Sequence, residues 1–166
     1  MKKLALGAIC LSVVAGCASA PQSTAELRAM SGGAMVEKKS TLVSRSPGQV
    51  YASLSRGAKK CLNTSQSQHI SRATAYGGWT HTIGHAYEGR FRRTGGKGEL
   101  SILKATSGAI VPGAKDGMYI AYVVDAVPVS GGTRLDVYGG RFGYGELNAA
   151  VTQWAKGGAF TCPALP

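Results

Sequence analysis

Residues 118–138 read MYIAYVVDAVPVSGGTRLDVY. Met118 to Val129 is apolar enough, and alternates enough, to be one long strand with Ile120, Tyr122 and Val124 on one face. Ser130-Gly131-Gly132 is a turn, and Thr133 to Tyr138 returns as a second strand, so the stretch predicts a β-hairpin. Upstream, Trp79, Ile83, Tyr87 and Phe91 alternate with Thr80, Thr82, Ala86 and Glu88, which predicts another strand. Leu100 to Ala105 is a short apolar strand, and Met35 to Val43 is a first strand diluted by Glu37, Lys38 and Lys39.

Two helices flank these strands. Over Pro47 to Leu62, the residues Val50, Leu54, Ala58, Cys61 and Leu62 recur at helical spacing. Ser46 is placed to cap this helix, Pro47 sits at its first position, and Gln49 completes a capping box. Arg56, Lys59 and Lys60 fall outside its apolar face. Tyr144 to Lys156 carries a second stripe of Leu147, Ala150, Val151, Trp154 and Ala155, closed by Gly157-Gly158. The expected class is α+β: an antiparallel curved sheet with two helices packed on one face, in strand-helix-strands-helix order.

The chain opens MKKLALGAICLSVVAGC. Lys2 and Lys3 precede an apolar stretch from Leu4 to Gly16, the layout of a secretory signal. That stretch is shorter than the ~20 residues a membrane-spanning helix needs. Val14-Ala15-Gly16-Cys17 resembles the lipobox of bacterial lipoproteins. The resemblance implies a diacylglycerol on Cys17, removal of residues 1–16 as signal peptide, and a membrane anchor made of lipid. Ala18, in place of the Asp that retains enteric lipoproteins at the inner membrane, implies the bacterial outer membrane. Residues 17–33 then read as the lipidated Cys and a flexible tether, with room for a short helix over Ala25–Met30. Residues 34–166 read as a single periplasmic domain. The strand and helix order also resembles helix-grip domains, and Trp154 to Gly158 followed by Cys162-Pro163 resembles the tail of uncharacterised proteobacterial lipoproteins.

The full chain has a formal charge of +11. Without Lys2 and Lys3, 17 Lys and Arg face 8 Asp and Glu, which leaves +9. Such a balance favours an anionic partner such as lipid headgroups, lipopolysaccharide or peptidoglycan carboxylates. An exported chain does not meet nucleic acid, so none is expected as partner. Cys10 leaves with the signal and Cys17 takes the lipid, so Cys61 and Cys162 are expected to pair in an oxidising compartment.

The densest basic run is Arg90, Arg92 and Arg93 with Lys97, the first candidate for an anionic envelope polymer or protein partner. Arg90 and Arg92 share a strand face while Phe91 turns to the core. Trp79, His81, His85 and Tyr87 share one face and are candidates to line a groove between the sheet and the C-terminal helix. That groove makes a small-ligand or lipid-binding module the alternative function. His81 and His85 lie four residues apart on a strand, with Cα atoms about 13 Å from each other, too far to share a metal ion. Asp125 and Asp136 are placed to face each other across the hairpin, yet without a cleft they make no acid/base pair. The glycine-rich Gly139 to Gly145 link matches no phosphate-binding fingerprint, and neither a G-x-S-x-G elbow nor an H-E-x-x-H motif occurs. The expectation is a non-enzymatic interaction or structural module with no catalytic residues, no metal and no cofactor.

Overall fold

The computed structural model describes residues 19–74, 77–108 and 110–166; Cys17 falls outside them, as does the side chain of Trp79. Nine elements follow in chain order: α1 (Thr24–Ala29), β1 (Val36–Val43), α2 (Pro47–Cys61), β2 (Thr64–Thr74), β3 (Gly77–Thr94), β4 (Lys97–Ser107), β5 (Met118–Val129), β6 (Gly132–Gly140) and α3 (Gly145–Lys156). The strands form one sheet in the order β1-β6-β5-β4-β3-β2, and every neighbouring pair is antiparallel. α2 carries the chain from one edge of the sheet to the other. A continuous meander from β2 to β6 then brings it back beside β1. The class is α+β, as the alternation and the two amphipathic helices predict.

The core lies between the sheet and α2 with α3. Leu54 of α2 and Leu62 at its C-cap, Leu147, Val151 and Trp154 of α3, and Leu100, Tyr122, Val124 and Leu135 of the sheet are all fully buried there. The two helices touch at Gly57, where a Cβ would stand 2.3 Å from the Trp154 ring. No side chain larger than hydrogen fits that crossing. The Cys61–Cys162 disulfide, with Cα atoms 5.0 Å apart, pins the tail to the end of α2. It closes a loop of 101 residues.

Four details differ from the sequence reading. Ser46 heads α2 with an extended backbone, but its side chain makes no capping hydrogen bond, so the Gln49 box does not form. β2 has no counterpart in the prediction, because TSQSQHISRAT lacks an apolar face, and its residues 64–69 are all exposed. Ile120 leaves the face of Tyr122 and Val124. Ile102 pairs with Tyr122 while Leu103 pairs with Ile120, so Ala121 is an extra residue that inverts the alternation below it. Ile120 joins Leu27, Val36, Val123 and Tyr138 in a small second cluster on the face away from α2 and α3.

The fourth difference concerns the expected tether. From Ser19 onward the chain lies against the sheet. Ala20 donates to the Pro112 carbonyl and Ile120 donates to the Pro21 carbonyl. Ser23 caps α1 by accepting from the Glu26 N–H, and Leu27 is buried. A third helix therefore packs on the opposite face from the other two. A short polar segment folds here because the sheet supplies both its apolar contact and its hydrogen-bond partners.

Candidate functional site

The basic run of β3 and β4 does not form one surface. Successive side chains of a strand point to opposite faces. Arg90 and Arg92 point away from α2 and α3, and both are paired: Arg90 with Glu88 at 2.7 Å and Arg92 with Glu99 at 2.6 Å. The hydrogen bond from Arg90 holds the Glu88 carboxyl below its ordinary value. Arg93 points to the helix side, with its guanidinium 5.2 Å from the centre of the Tyr51 ring. Lys97 is exposed and borders a hollow on the outer face.

On the helix side Arg93 has different company. β2 begins opposite Tyr87, which leaves the Glu88–Thr94 part of β3 without a strand on that edge. α2 stands beside this open edge. Ala52, Ser55, Arg56 and Lys59 follow helical spacing, and together with Phe91, Arg92 and Arg93 they line a groove of about 500 Å³. Arg56 lies 5.4 Å over the Phe160 ring. Lys60 is exposed on the next position of the helix. Among the described residues no carboxylate forms an ion pair with Arg56, Lys59, Lys60 or Arg93. Sequence reading missed Arg56 and Lys59 as partners of Arg93. The helical stripe was visible, but its meeting with β3 depends on the crossing of α2 over the sheet.

The outer face holds a closed polar network around a hollow of about 670 Å³. Arg28 of α1 grips Asp125 through two hydrogen bonds, at 2.8 and 2.6 Å, and also bonds Glu99. Burial alone would raise Glu99, but hydrogen bonds from Arg28 and Arg92 outweigh it and hold the carboxyl below its ordinary value. Asp125 and Asp136 are register partners across the hairpin. Asp136 takes hydrogen bonds from Ser40 at 2.7 Å and Arg134 at 3.1 Å. Asp125 and Asp136 both border the hollow, and each carboxylate is held by its own arginine. Arg28, Arg92, Glu99 and Asp125 tie α1 to β3, β4 and β5, while Ser40 and Asp136 tie β1 to β6.

The proposed groove residues are dispersed. Tyr87 is buried in the main core, and its hydroxyl donates to the Pro166 carbonyl. Burial, with Tyr119 beside it, pushes the Tyr87 hydroxyl up to about 12. Lys104 donates to the same Pro166 oxygen at 2.6 Å, and burial lowers its pKa. Leu165 is buried in the core, Phe160 packs on it, and Pro166 lies over the Tyr87 hydroxyl. His85 is half-buried, 6.4 Å from the Tyr87 ring, and bonds Thr106 at 3.3 Å. Burial and the nearby Lys104 hold it below the ordinary histidine value. His81 is exposed and reaches the Gly108 carbonyl, while His69 meets Thr82 at 3.0 Å. The three histidines have three separate partners and do not converge.

No protein-family model matches the chain, and no curated protein is similar to it. Among solved structures, a Chromobacterium violaceum protein aligns over 62% of this chain and 76% of its own, at 17% identity and a TM-score of 0.31. A superposition that loose carries no argument about fold or function.

Proposed function

We propose that this chain is a lipid-anchored protein of the bacterial outer membrane, whose periplasmic domain is a non-enzymatic module that binds an anionic envelope polymer. The observation that carries the reading is the groove of Arg56, Lys59 and Arg93, where cations from two elements converge with no carboxylate among the described residues paired to them. Its floor holds Phe91, and Tyr51 and Phe160 lie under two of its guanidinium groups. Stacked arginines are pre-organised and weakly hydrated, which suits them to carboxylate recognition. The chemistry fits peptidoglycan, a polymer carrying carboxylates at regular intervals. The Val14-Ala15-Gly16-Cys17 motif and the charge of +9 without the leader support the location and the sign of the partner. The occupied space over Tyr87 weighs against the alternative of a ligand groove under α3.

The test is co-sedimentation of the purified protein with isolated peptidoglycan sacculi. Replacing Arg56, Lys59 and Arg93 by Gln should cut the bound fraction about tenfold, since each phosphate- or carboxylate-type contact to a cation is worth roughly 1 kcal/mol or less at an exposed site. Equal pelleting of both forms would reject this surface. Mass spectrometry of the N-terminal peptide tests the anchor separately: a diacylglycerol on Cys17 is expected.

A further inference from the structure

We infer that the domain is seated on the lipid bilayer by one end, the end where its described chain begins. Among the described residues, four of the five exposed large apolar side chains gather there: Met35, Ile110, Met118 and Phe142. Ile110 is 96% exposed and Phe142 is 79% exposed. They stand on different segments that the fold ties together. Arg141 donates to the Met35 carbonyl, which places Phe142 beside Met35. Ala20 donates to the Pro112 carbonyl, and Gln22 bonds the carbonyls of Gly113 and Met118, which draws the Ile110 loop to the same end. Between these segments lies a mostly apolar hollow of about 250 Å³, lined by Leu27, Met30, Val111, Pro112, Ile120 and Tyr144.

The occupant follows from where the chain enters. Ser19 borders the hollow, and Cys17 is two residues before it, about 7 Å of extended chain at most. This step rests on the lipid anchor proposed above. A lipid attached to Cys17 holds this end within a few ångströms of the bilayer surface. Apolar side chains exposed there then leave water for the acyl boundary at little further entropic cost, because the anchor has already confined the domain. Charge does not drive the contact: the charged residues nearest in sequence to these side chains are of both signs, Glu37 and Lys38 after Met35, Lys115 and Asp116 before Met118, and Arg141 and Glu146 on either side of Phe142. Seating is therefore apolar and insensitive to salt.

The orientation has a consequence for the basic groove. β4 runs from Lys97 to Ser107, and Ser107 leads into the Ile110 loop. Phe91, on the groove floor, pairs with Leu100. From Ser107 to Leu100 the strand covers roughly 25 Å. The groove thus lies on the order of 20 Å from the end seated on the bilayer, clear of the headgroups.

The experiment uses the mature protein in vesicles containing a phospholipid with a photoreactive group at the acyl boundary, with adducts mapped by mass spectrometry. Adducts on peptides holding Met35, Ile110 and Phe142, unchanged by salt and absent from the Ser130-Gly131 turn at the opposite end, are expected. Replacing Ile110 and Phe142 by Asp should lower adduct yield on the remaining segment about tenfold, since a charge in the acyl boundary opposes seating. Both side chains are exposed, so the fold tolerates the change. A Cys17 peptide carrying lipid but no adducts beyond it would overturn the seating and leave the anchor standing. A Cys17 peptide without lipid would overturn both.

Discussion

Arg92 and Arg93 are adjacent in sequence and serve opposite faces of the sheet. Arg92 bonds Glu99 at 2.6 Å on the outer face, whereas Arg93 lies over the Tyr51 ring, 5.2 Å from its centre. Their substitutions should separate. Arg93→Gln is expected to weaken binding to peptidoglycan several-fold with little change in melting temperature. Arg92 also borders the groove, but its charge is matched by Glu99, so Arg92→Gln should weaken binding less than Arg93→Gln does. Pelleting and thermal melts of the two variants, side by side, check this. Equal losses of binding would show that the two faces act together.

Gly57 sets how closely α2 and α3 approach. In a helix, alanine is normally about 1 kcal/mol better than glycine. Here a Cβ would meet the Trp154 ring at 2.3 Å, and Trp154 is fully buried. Overpacking of a filled core typically costs about 1–3 kcal/mol. Gly57→Ala should therefore lower stability, and Gly57→Val should lower it further, as read by urea unfolding. A stabilised Gly57→Ala protein would mean that the helices separate freely.

Stability should also depend on acid through Glu99. Its carboxyl lies below the ordinary value because hydrogen bonds from Arg28 and Arg92 outweigh the effect of burial. A carboxyl lowered by folding binds its proton more weakly in the folded state. Its contribution is complete above the unfolded value, about pH 4.3, and fades as the pH falls through the lower folded value. The outer network should then loosen and release α1, seen as faster hydrogen exchange at Leu27 in acid. Glu99→Gln should show fast exchange at Leu27 already at neutral pH.

Reduction of the Cys61–Cys162 disulfide should destabilise the domain. The bond closes a loop of 101 residues. The chain-entropy argument gives an upper figure of about 4.7 kcal/mol for a loop near this length. The loss should be accompanied by exposure of Tyr87 and Lys104, because the bridge holds the tail whose Pro166 carbonyl they bind. Melting with and without reductant measures the first effect, and modification of Lys104 by an amine reagent measures the second.

Much of the architecture was legible in the residues. Met118–Val129 forms β5 over the predicted span, and α2 and α3 end within one residue of the predicted helices at both ends. These segments carry a strong apolar period, and burial of that face is what makes them fold. β2 carries no such period. It becomes a strand only because β3 offers it a ladder, with Thr64 opposite Tyr87 and Thr74 opposite Gly77. Ile120 lies on the face opposite to the one its alternation predicts, for a related reason. A bulge at Ala121 is set by the register of β4 against β5, which periodicity within one strand does not contain.

The candidate site divides in the same way. The excess of positive charge is set by the residues alone, and the sequence carries the pairing of Cys61 with Cys162 and a lipid anchor as expectations. Tertiary structure decided which cations are free. Arg90 and Arg92 meet carboxylates, while Arg93 meets Arg56 and Lys59 from a helix more than thirty positions earlier in the chain. Charge is a property of the residue and is read from sequence. Neutralisation is a property of distance, and only the fold decides the distances.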